Sequence, residues 1–481
     1  MVEIDRRAHF EAIAADWDQW RGKNRYYHDR LTEFVAGMVA PGGKLLDVGA
    51  GTGDLLAALP SGQGIGLNLG KELNELAKRK YPDLDLRTFD VDRIELPDGF
   101  VADHVVMVNM LDHVHDIWDL LESLSPHVGD HSLLVLTSTN PLWAPVLRLG
   151  SRLRMRVPDS PRNYLTSRDI LSVLELQGWD CVESGFLLPV PKRLPLIGNL
   201  LNLIVPDIPV LRYGSSVQYL AARPRRARQP LSVSVVIPCH NEAGNIAECI
   251  ARTPNFGART EIVVVDDGSR DATRAVVQAV MADDRRVRLV AYDTNHGKAN
   301  AVRAGFAAAT GDVLMILDAD MTVAPEDLPK FLRPLQEGTA DFVNGTRLIY
   351  PMAGQAMPWA NFVGNKAFCF LTSWALRQRV SDTLCGTKAL FRADYERMPL
   401  AGKERWGDFD LLFGAARQRL RILEIPVHYG DRKAGDSKMN VRKDGILFLT
   451  ACLSGWRSLR SPKTLPWEHR LPPVPGARAF D

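Results

Sequence analysis

The sequence predicts two consecutive α/β domains, each a sheet of largely buried strands layered with helices. Three observations lead there. Short apolar runs alternate with helical patterns on both sides of a break at residues 223–230 (RPRRARQP). In the first half a glycine-rich turn, Gly49-Ala50-Gly51-Thr52-Gly53, separates a strand from a helix. In the second half two apolar strands end in paired carboxylates, Asp266-Asp267 and Asp318-Ala319-Asp320.

The 481 residues allow about three average domains or two large ones. With 46% hydrophobic and 24% charged residues there is apolar material for two cores, which excludes a disordered chain. Lys and Arg total 59 against 57 Asp and Glu, so no electrostatic case exists for nucleic acid as a partner. Six cysteines without a CxxC pair indicate neither a zinc site nor a disulfide framework, and fit a reducing compartment. The polar N-terminus does not read as a signal peptide. No uncharged apolar run reaches about 18 residues, so no transmembrane helix is expected. Two shorter stretches, 194–206 (LPLIGNLLNLIVP) and 446–456 (ILFLTACLSGW), read either as buried core or as contact with a membrane surface or lipid substrate. The break at 223–230 has four arginines, two prolines and no large apolar residue, and reads as a linker. It leaves domains at 1–222 and 231–460, with a proline-rich tail, 461–481, expected to be loose.

In the first domain, residues 44–48 (KLLDV) form a buried strand, followed by the glycine turn and a helical pattern over 54–59. Such a turn lets backbone approach a ligand closely and aims amide N–H groups at it. The spacing is not the G-x-G-x-x-G of dinucleotide sites. Asp47 beside it offers a carboxylate to the ammonium of an amino-acid moiety. The run Asp47-Val48-Gly49-Ala50-Gly51-Thr52-Gly53 resembles the first motif of the class I S-adenosylmethionine-dependent methyltransferases, with a likeness extending over residues 27–223. The resemblance implies a Rossmann-like domain that binds S-adenosylmethionine through Asp47, Gly49, Gly51 and Gly53. It places Asn68, after a strand at 64–67, at the ribose position usually held by an acid, and Asp90, after a strand at 86–89, facing adenine. An amide at 68 still accepts a ribose hydroxyl, with less charge than a carboxylate. Residues 105–116 (VVMVNMLDHVHD) resemble the fourth strand and its loop, and 215–221 a final hairpin strand. Methyl transfer is chiefly alignment of donor and acceptor. A hydroxyl acceptor also needs a base, and His113 is either that base or a structural loop histidine. The insert at 186–211 is long and apolar, pointing to a lipid-like or lipid-linked acceptor.

In the second domain a strand at 232–238 runs into Cys239-His240-Asn241-Glu242. Strands at 261–265 and 313–317 end in the two acidic pairs. Carboxylates at i and i+2 on a strand end can hold a hard divalent cation against phosphates. This half, over 232–456, resembles the family 2 glycosyltransferases of GT-A fold, and among them dolichyl-phosphate mannosyltransferase and its polyprenyl-phosphate relatives. That implies a nucleotide-sugar donor contacting Pro238, His240 (where relatives carry Tyr), Glu242, Val265 and Asp267. It also implies a diphosphate and Mg²⁺ or Mn²⁺ at Asp318, Ala319 and Asp320, with Arg347 on the phosphate side. Arg432 and Lys438, in DRKAGDSK, carry over to a basic loop, and 381–392 looks like the acceptor-side segment. Divalent ion and basic side chains suit a nucleoside diphosphate leaving group. A hydroxyl acceptor would need a carboxylate base, for which Asp408 and Asp410 are candidates. A phosphate acceptor is already anionic and needs cations only. Both acids also suit a helix start.

The expectation is therefore a bifunctional enzyme. Its second domain glycosylates a polyprenyl-phosphate-type lipid at the cytoplasmic membrane face, held there peripherally by 446–456 with Arg457 and Arg460, or by a membrane partner protein. Its first domain methylates a related small or lipid-linked substrate. The alternative is glycosylation of a hydroxyl, with a first domain that only docks.

Overall fold

Seven apolar runs of the first compact unit, Met1–Arg225, become strands. They are β1 (Lys44–Val48), β2 (Gln63–Asn68), β3 (Asp85–Thr88), β4 (Ala102–Val108), β5 (Val128–Thr139), β6 (Trp179–Leu187) and β7 (Val217–Pro224). They pair in the order β3-β2-β1-β4-β5-β7-β6. The first five are parallel, and β7 lies antiparallel between β5 and β6. Parallel strands are covered on both faces, which is why KLLDV is almost continuously apolar. Leu46, Val105 and Leu134 enter the core on one face, Leu45, Val106 and Val135 that on the other. The strand order reverses between β1 and β4, and the glycine turn opens there at the carboxyl end of β1.

The second unit, Arg226–Asp481, contains β8 (Ser232–Cys239), β9 (Arg259–Asp267), β10 (Val287–Tyr292), β11 (Val313–Ile316), β12 (Phe342–Thr346), β13 (Lys388–Phe391), β14 (Ile422–Pro426) and β15 (Arg478–Phe480). Their order is β14-β12-β13-β11-β8-β9-β10-β15. The strands β10, β9, β8 and β11 are parallel, so all the acidic strand ends emerge at one edge. The strand β13 enters antiparallel between β11 and β12.

The computed structural model describes residues 6–59, 61–89, 94–97, 99–158, 163, 165–195, 197–225, 227–347, 369–398, 407–427, 450, 452–453, 455–456, 459 and 477–480. Among these, no helix is long and apolar enough to cross a membrane.

Two expectations need correction. The basic break at 223–230 is not the wholly solvated stretch its composition suggests. The strand β7 continues through Pro224, with Arg223 buried and donating to the His131 carbonyl. Arg228 lies over the Phe391 ring at 4.2 Å and reaches Asp341 Oδ1 at 3.2 Å, a carboxylate shared with Arg421. Buried carbonyls and an acid receive these guanidiniums, which charge counting could not foresee. The tail, expected to be loose, ends in β15, which pairs antiparallel with β10.

Candidate functional site

In the first unit the glycine turn borders a cavity of about 470 Å³. Gly49, Gly51 and Gly53 have φ of 91°, 56° and 79°, which disfavours any side chain at these positions. A Cβ on Gly49 would also meet Met110 Sδ at 2.8 Å. Asp47 lies at the carboxyl end of β1, faces the cavity, and is only 1% exposed. Its Oδ2 is buried without a hydrogen-bond partner. Burial pushes the Asp47 carboxyl up to about 7, against the opposing pull of the Arg21 guanidinium. A buried, unsatisfied carboxylate beside a glycine cradle is the acceptor a cationic ammonium ligand requires.

Asn68 ends β2 as expected, but its amide is turned into the glycine turn. Oδ1 accepts from Gly51 N at 2.7 Å, while Nδ2 donates to Gly51 O and to Asn74 Oδ1, both at 2.8 Å. The asparagine locks the turn from both sides, a role that a carboxylate, without a donor, could not duplicate. His113 lines the cavity, with its ring edge-on to Phe10 at 5.1 Å. Asp90 lies outside the described residues.

Sequence reasoning missed the other wall. Trp17, Trp20, Arg21 and His28, from the helices Trp17–Lys23 and Arg25–Ala36, line the same cavity. Burial, with Arg21 adding to it, lowers the His28 imidazole to about 4, so it is neutral at ordinary pH. These helices precede the motif and carry no motif of their own. Their aromatic spacing was the only available signal.

In the second unit the loops after β8, β9, β10 and β11 meet at the carboxyl edge of the parallel strands. His240 Nδ1 lies 2.8 Å from Asp267 O. The Asp267 carboxylate accepts from His296 N at 2.7 Å and Gly297 N at 2.8 Å, fastening the loop that precedes the helix Lys298–Ala308. Pro238 and Val265 are cross-strand partners in β8 and β9. Glu242 Oε2 accepts from Asn245 Nδ2 at 2.8 Å, at the start of the helix Ile246–Arg252.

Beyond β11, Asp318 Oδ1 pairs with Lys298 Nζ at 2.6 Å. Asp320 Oδ1 accepts from Thr322 Oγ1 at 2.9 Å and from its amide at 3.2 Å. Ala319 between them is buried. Burial would lower the Lys298 ammonium, but Asp318 and Asp408 outweigh it and hold it firmly protonated. A Cβ on Gly386 would collide with the Asp318 carboxylate and come within 2.8 Å of Lys298 Nζ, so this edge needs glycine there. Lys298 and Gly386 were not singled out from sequence, and Gly297-Lys298 at a helix start was the available signal. No group of three or more metal-ligating side chains gathers among the described residues. Asp318 and Asp320 offer hard oxygens suited to a divalent ion whose remaining ligands come from phosphates and water.

Two expected residues have partners that change their reading. Arg347 forms a bidentate pair with buried Asp382, at 2.7 and 2.8 Å. Burial alone would raise the Asp382 carboxyl, but the Arg347 hydrogen bonds and charge hold it below the usual range. The pair fixes the 381–384 segment, whose amides at 381 and 382 are also bound by Glu424. Asp408, a candidate base, is 2.6 Å from the fully buried Lys388 Nζ. This buried pair makes Asp408 an anchor between β13 and the helix Asp408–Arg417. Asp410, one half-turn on, is partly buried and lines a small cleft with Asp408, Lys298, Arg303 and Tyr395. Arg432 and Lys438 lie outside the described residues.

Comparison with known proteins divides the chain in the same way. Residues 234–398 match the family model for Glycosyl transferase family 2, and residues 20–184 that for a methyltransferase domain. Among solved structures, glucosyl-3-phosphoglycerate synthase from Mycobacterium tuberculosis, in complex with Mn²⁺, uridine diphosphate and phosphoglyceric acid, is 23% identical. The match covers 47% of this chain and 78% of that one, with a TM-score of 0.37. A Thermotoga maritima S-adenosylmethionine-dependent methyltransferase, described as a possible histamine N-methyltransferase, is 14% identical, over 45% of this chain and 99% of that one, with a TM-score of 0.35. The chain thus joins a methyltransferase domain to a family 2 glycosyl transferase domain, and the protein is an enzyme of the transferase class.

Proposed function

We propose that the second unit transfers a sugar from a nucleotide-sugar donor to the phosphate of a polyprenyl-phosphate-type lipid, and that the first unit is an S-adenosylmethionine-dependent methyltransferase acting on a related small or lipid-linked substrate. The observation that carries the sugar-transfer reading is the Lys388–Asp408 pair. It gives one of the two candidate bases a structural partner, which supports a reading in which the acceptor is already an anion and needs cations rather than a base.

In this reading an acceptor phosphate oxygen bonds to the anomeric carbon while the carbon–oxygen bond to the diphosphate breaks, its electron pair leaving with the nucleoside diphosphate. Asp318 and Asp320 would hold Mg²⁺ or Mn²⁺, which would neutralise charge on that leaving group. Lys298 positions Asp318, and Thr322 positions Asp320. His240, Glu242 and Asp267 shape the nucleoside side, and Arg432 and Lys438 supply cations to the two phosphates. Contact with the cytoplasmic face of a membrane, directly or through a membrane partner protein, is supported by Phe370, Trp374 and Leu453, which are 72%, 40% and 49% exposed.

In the first unit Asp47 would bind the donor's ammonium, and the glycine turn its backbone-facing edge. The acceptor atom bonds to the methyl carbon as the carbon–sulfur bond breaks, its electron pair staying on sulfur. His113 would take the acceptor's proton where that acceptor is a hydroxyl. Asn68→Ala removes two hydrogen bonds to Gly51 and one to Asn74 and should weaken S-adenosylmethionine binding about tenfold by calorimetry, a net loss equal to that of one hydrogen bond, roughly 1–1.5 kcal/mol. Unchanged affinity would remove Asn68 from this account.

Incubating the protein with a short polyprenyl phosphate, Mg²⁺ and a panel of nucleotide sugars, followed by lipid mass spectrometry, tests the main reading. A sugar-phosphate lipid absent with Asp320→Ala is expected, with a loss of at least about a thousandfold. Nucleotide-sugar binding without a lipid product would favour the second reading, a hydroxyl acceptor with Asp410 as base. That reading draws on the partly buried Asp410 beside Lys298.

A further inference from the structure

The first unit presents an apolar surface that its own core does not use. The helix Ala144–Arg152 has no buried residue, and the helix Ile197–Ile204 buries only Gly198. Leu149, Leu153, Ile197, Leu200 and Val210 are 57%, 60%, 65%, 56% and 79% exposed. Helices at a protein surface normally turn their apolar stripe inward, and an apolar patch of this extent marks an interaction site.

The two helices belong to one rim. Asn24 Nδ2 donates to Met155 O at 3.2 Å, Lys192 Nζ to Asn24 Oδ1 at 2.8 Å, and Tyr26 OH to Asn199 Oδ1 at 3.1 Å. At the other end Trp143 Nε1 donates to Gly214 O and Asn140 Nδ2 to Tyr213 O, both at 2.9 Å. Part of the rim, Trp143, Val146, Leu147, Met155 and Lys192, lines the cavity that Asp47 faces. Val146 and Met155 line that cavity and are also 55% and 50% exposed, so this part of the rim borders its opening.

The charge of the rim is predominantly basic. Residues 141–156 carry four arginines and no acid, and residues 190–213 carry Lys192, Arg193 and Arg212 against Asp207 alone. Apolar side chains flanked by basic ones match the acyl boundary and headgroups of an anionic bilayer.

We infer that this rim docks on an anionic lipid bilayer, with the cavity opening toward the lipid. The docking rests on the unit's own surface. Only its corollary, that the methyl acceptor is a membrane-resident amphiphile, rests on the methyltransferase reading.

Hydrogen–deuterium exchange of the full chain, with vesicles of phosphatidylcholine mixed with phosphatidylglycerol, tests it. These vesicles hold no polyprenyl phosphate, sugar donor or S-adenosylmethionine, so the result is independent of both transfer reactions. Peptides covering 142–155 and 194–213 should gain protection, more than with phosphatidylcholine alone, while 167–176 stays unchanged. The combined variant Leu149→Ser, Leu153→Ser, Ile197→Ser and Leu200→Ser should lower vesicle affinity at these peptides at least about tenfold. It replaces exposed side chains only, and Leu176→Ser, 72% exposed but outside the rim, should behave like the unsubstituted protein. Absence of protection at 142–155 and 194–213 on either vesicle would overturn the inference. So would protection of these peptides that grows with protein concentration alone, the mark of a second copy as occupant.

Discussion

Lys388→Met should destabilise the second unit by about 3–5 kcal/mol, the usual consequence of leaving a buried charge without its partner. Lys388 is fully buried, and its ammonium is bound by Asp408 Oδ1 and by the carbonyl of Cys385. Methionine fills a similar volume but takes away the ammonium bonded to the Asp408 carboxylate, leaving only the longer-range charge of Lys298 to oppose it. Thermal unfolding of the full chain should show the second unit's transition fall while that of the first stays in place. The double variant Lys388→Met with Asp408→Leu should recover most of the loss, since an apolar pair avoids burying a charge. Asp408→Asn separates an anchor from a catalytic base. An anchor lowers the melting point and leaves the folded fraction active, whereas a base leaves the melting point alone and removes turnover.

The second large effect falls on the other unit. Asp47→Asn should weaken S-adenosylmethionine binding at least a hundredfold and abolish its pH dependence, because a charge-assisted contact in a buried site is lost. In the unsubstituted protein burial places the Asp47 carboxyl at about 7, above its value in the unfolded chain. The folded state therefore holds an extra proton between about pH 4 and 7, and the ligand-free unit loses stability as pH rises through that window. The ammonium ligand needs the ionised form. Affinity should thus rise about fivefold from pH 6 to pH 7 and stop rising near pH 8, where the ligand's own α-ammonium begins to deprotonate, with proton release on binding near pH 6. Calorimetry in buffers of different ionisation heat reads both. A flat affinity profile, or wild-type affinity in Asp47→Asn, would contradict the assignment.

Much of this architecture was legible because the informative features are local. KLLDV followed by a glycine turn predicts a buried strand meeting a ligand, and β1 with its positive-φ glycines has that form. The acidic strand ends likewise follow from short apolar runs that break at carboxylates, and β9 and β11 lead into them. What stayed hidden depends on distant partners. Arg228 looked like linker until Asp341, more than a hundred residues on, received it. Asp408 looked like a base or a helix-start acid and Lys388 carried no reading of its own, and only the fold puts them 2.6 Å apart. Lys298 carries no motif, yet it lies against Asp318 because the helix after β10 begins beside the end of β11. Asn68 looked like a weakened ribose ligand, and the structure makes its amide the lock of the glycine turn. The cavity's second wall comes from helices whose aromatic spacing names no ligand.

The central claim is that the second unit glycosylates a phosphate. Phosphorus NMR of polyprenyl phosphate during turnover with the nucleotide sugar tests it most directly. The expected result is that the phosphomonoester resonance gives way to a phosphodiester, and that Asp320→Ala leaves the monoester intact. A monoester that persists while the sugar is transferred instead to an added hydroxyl acceptor would contradict the claim and return the reaction to a hydroxyl acceptor.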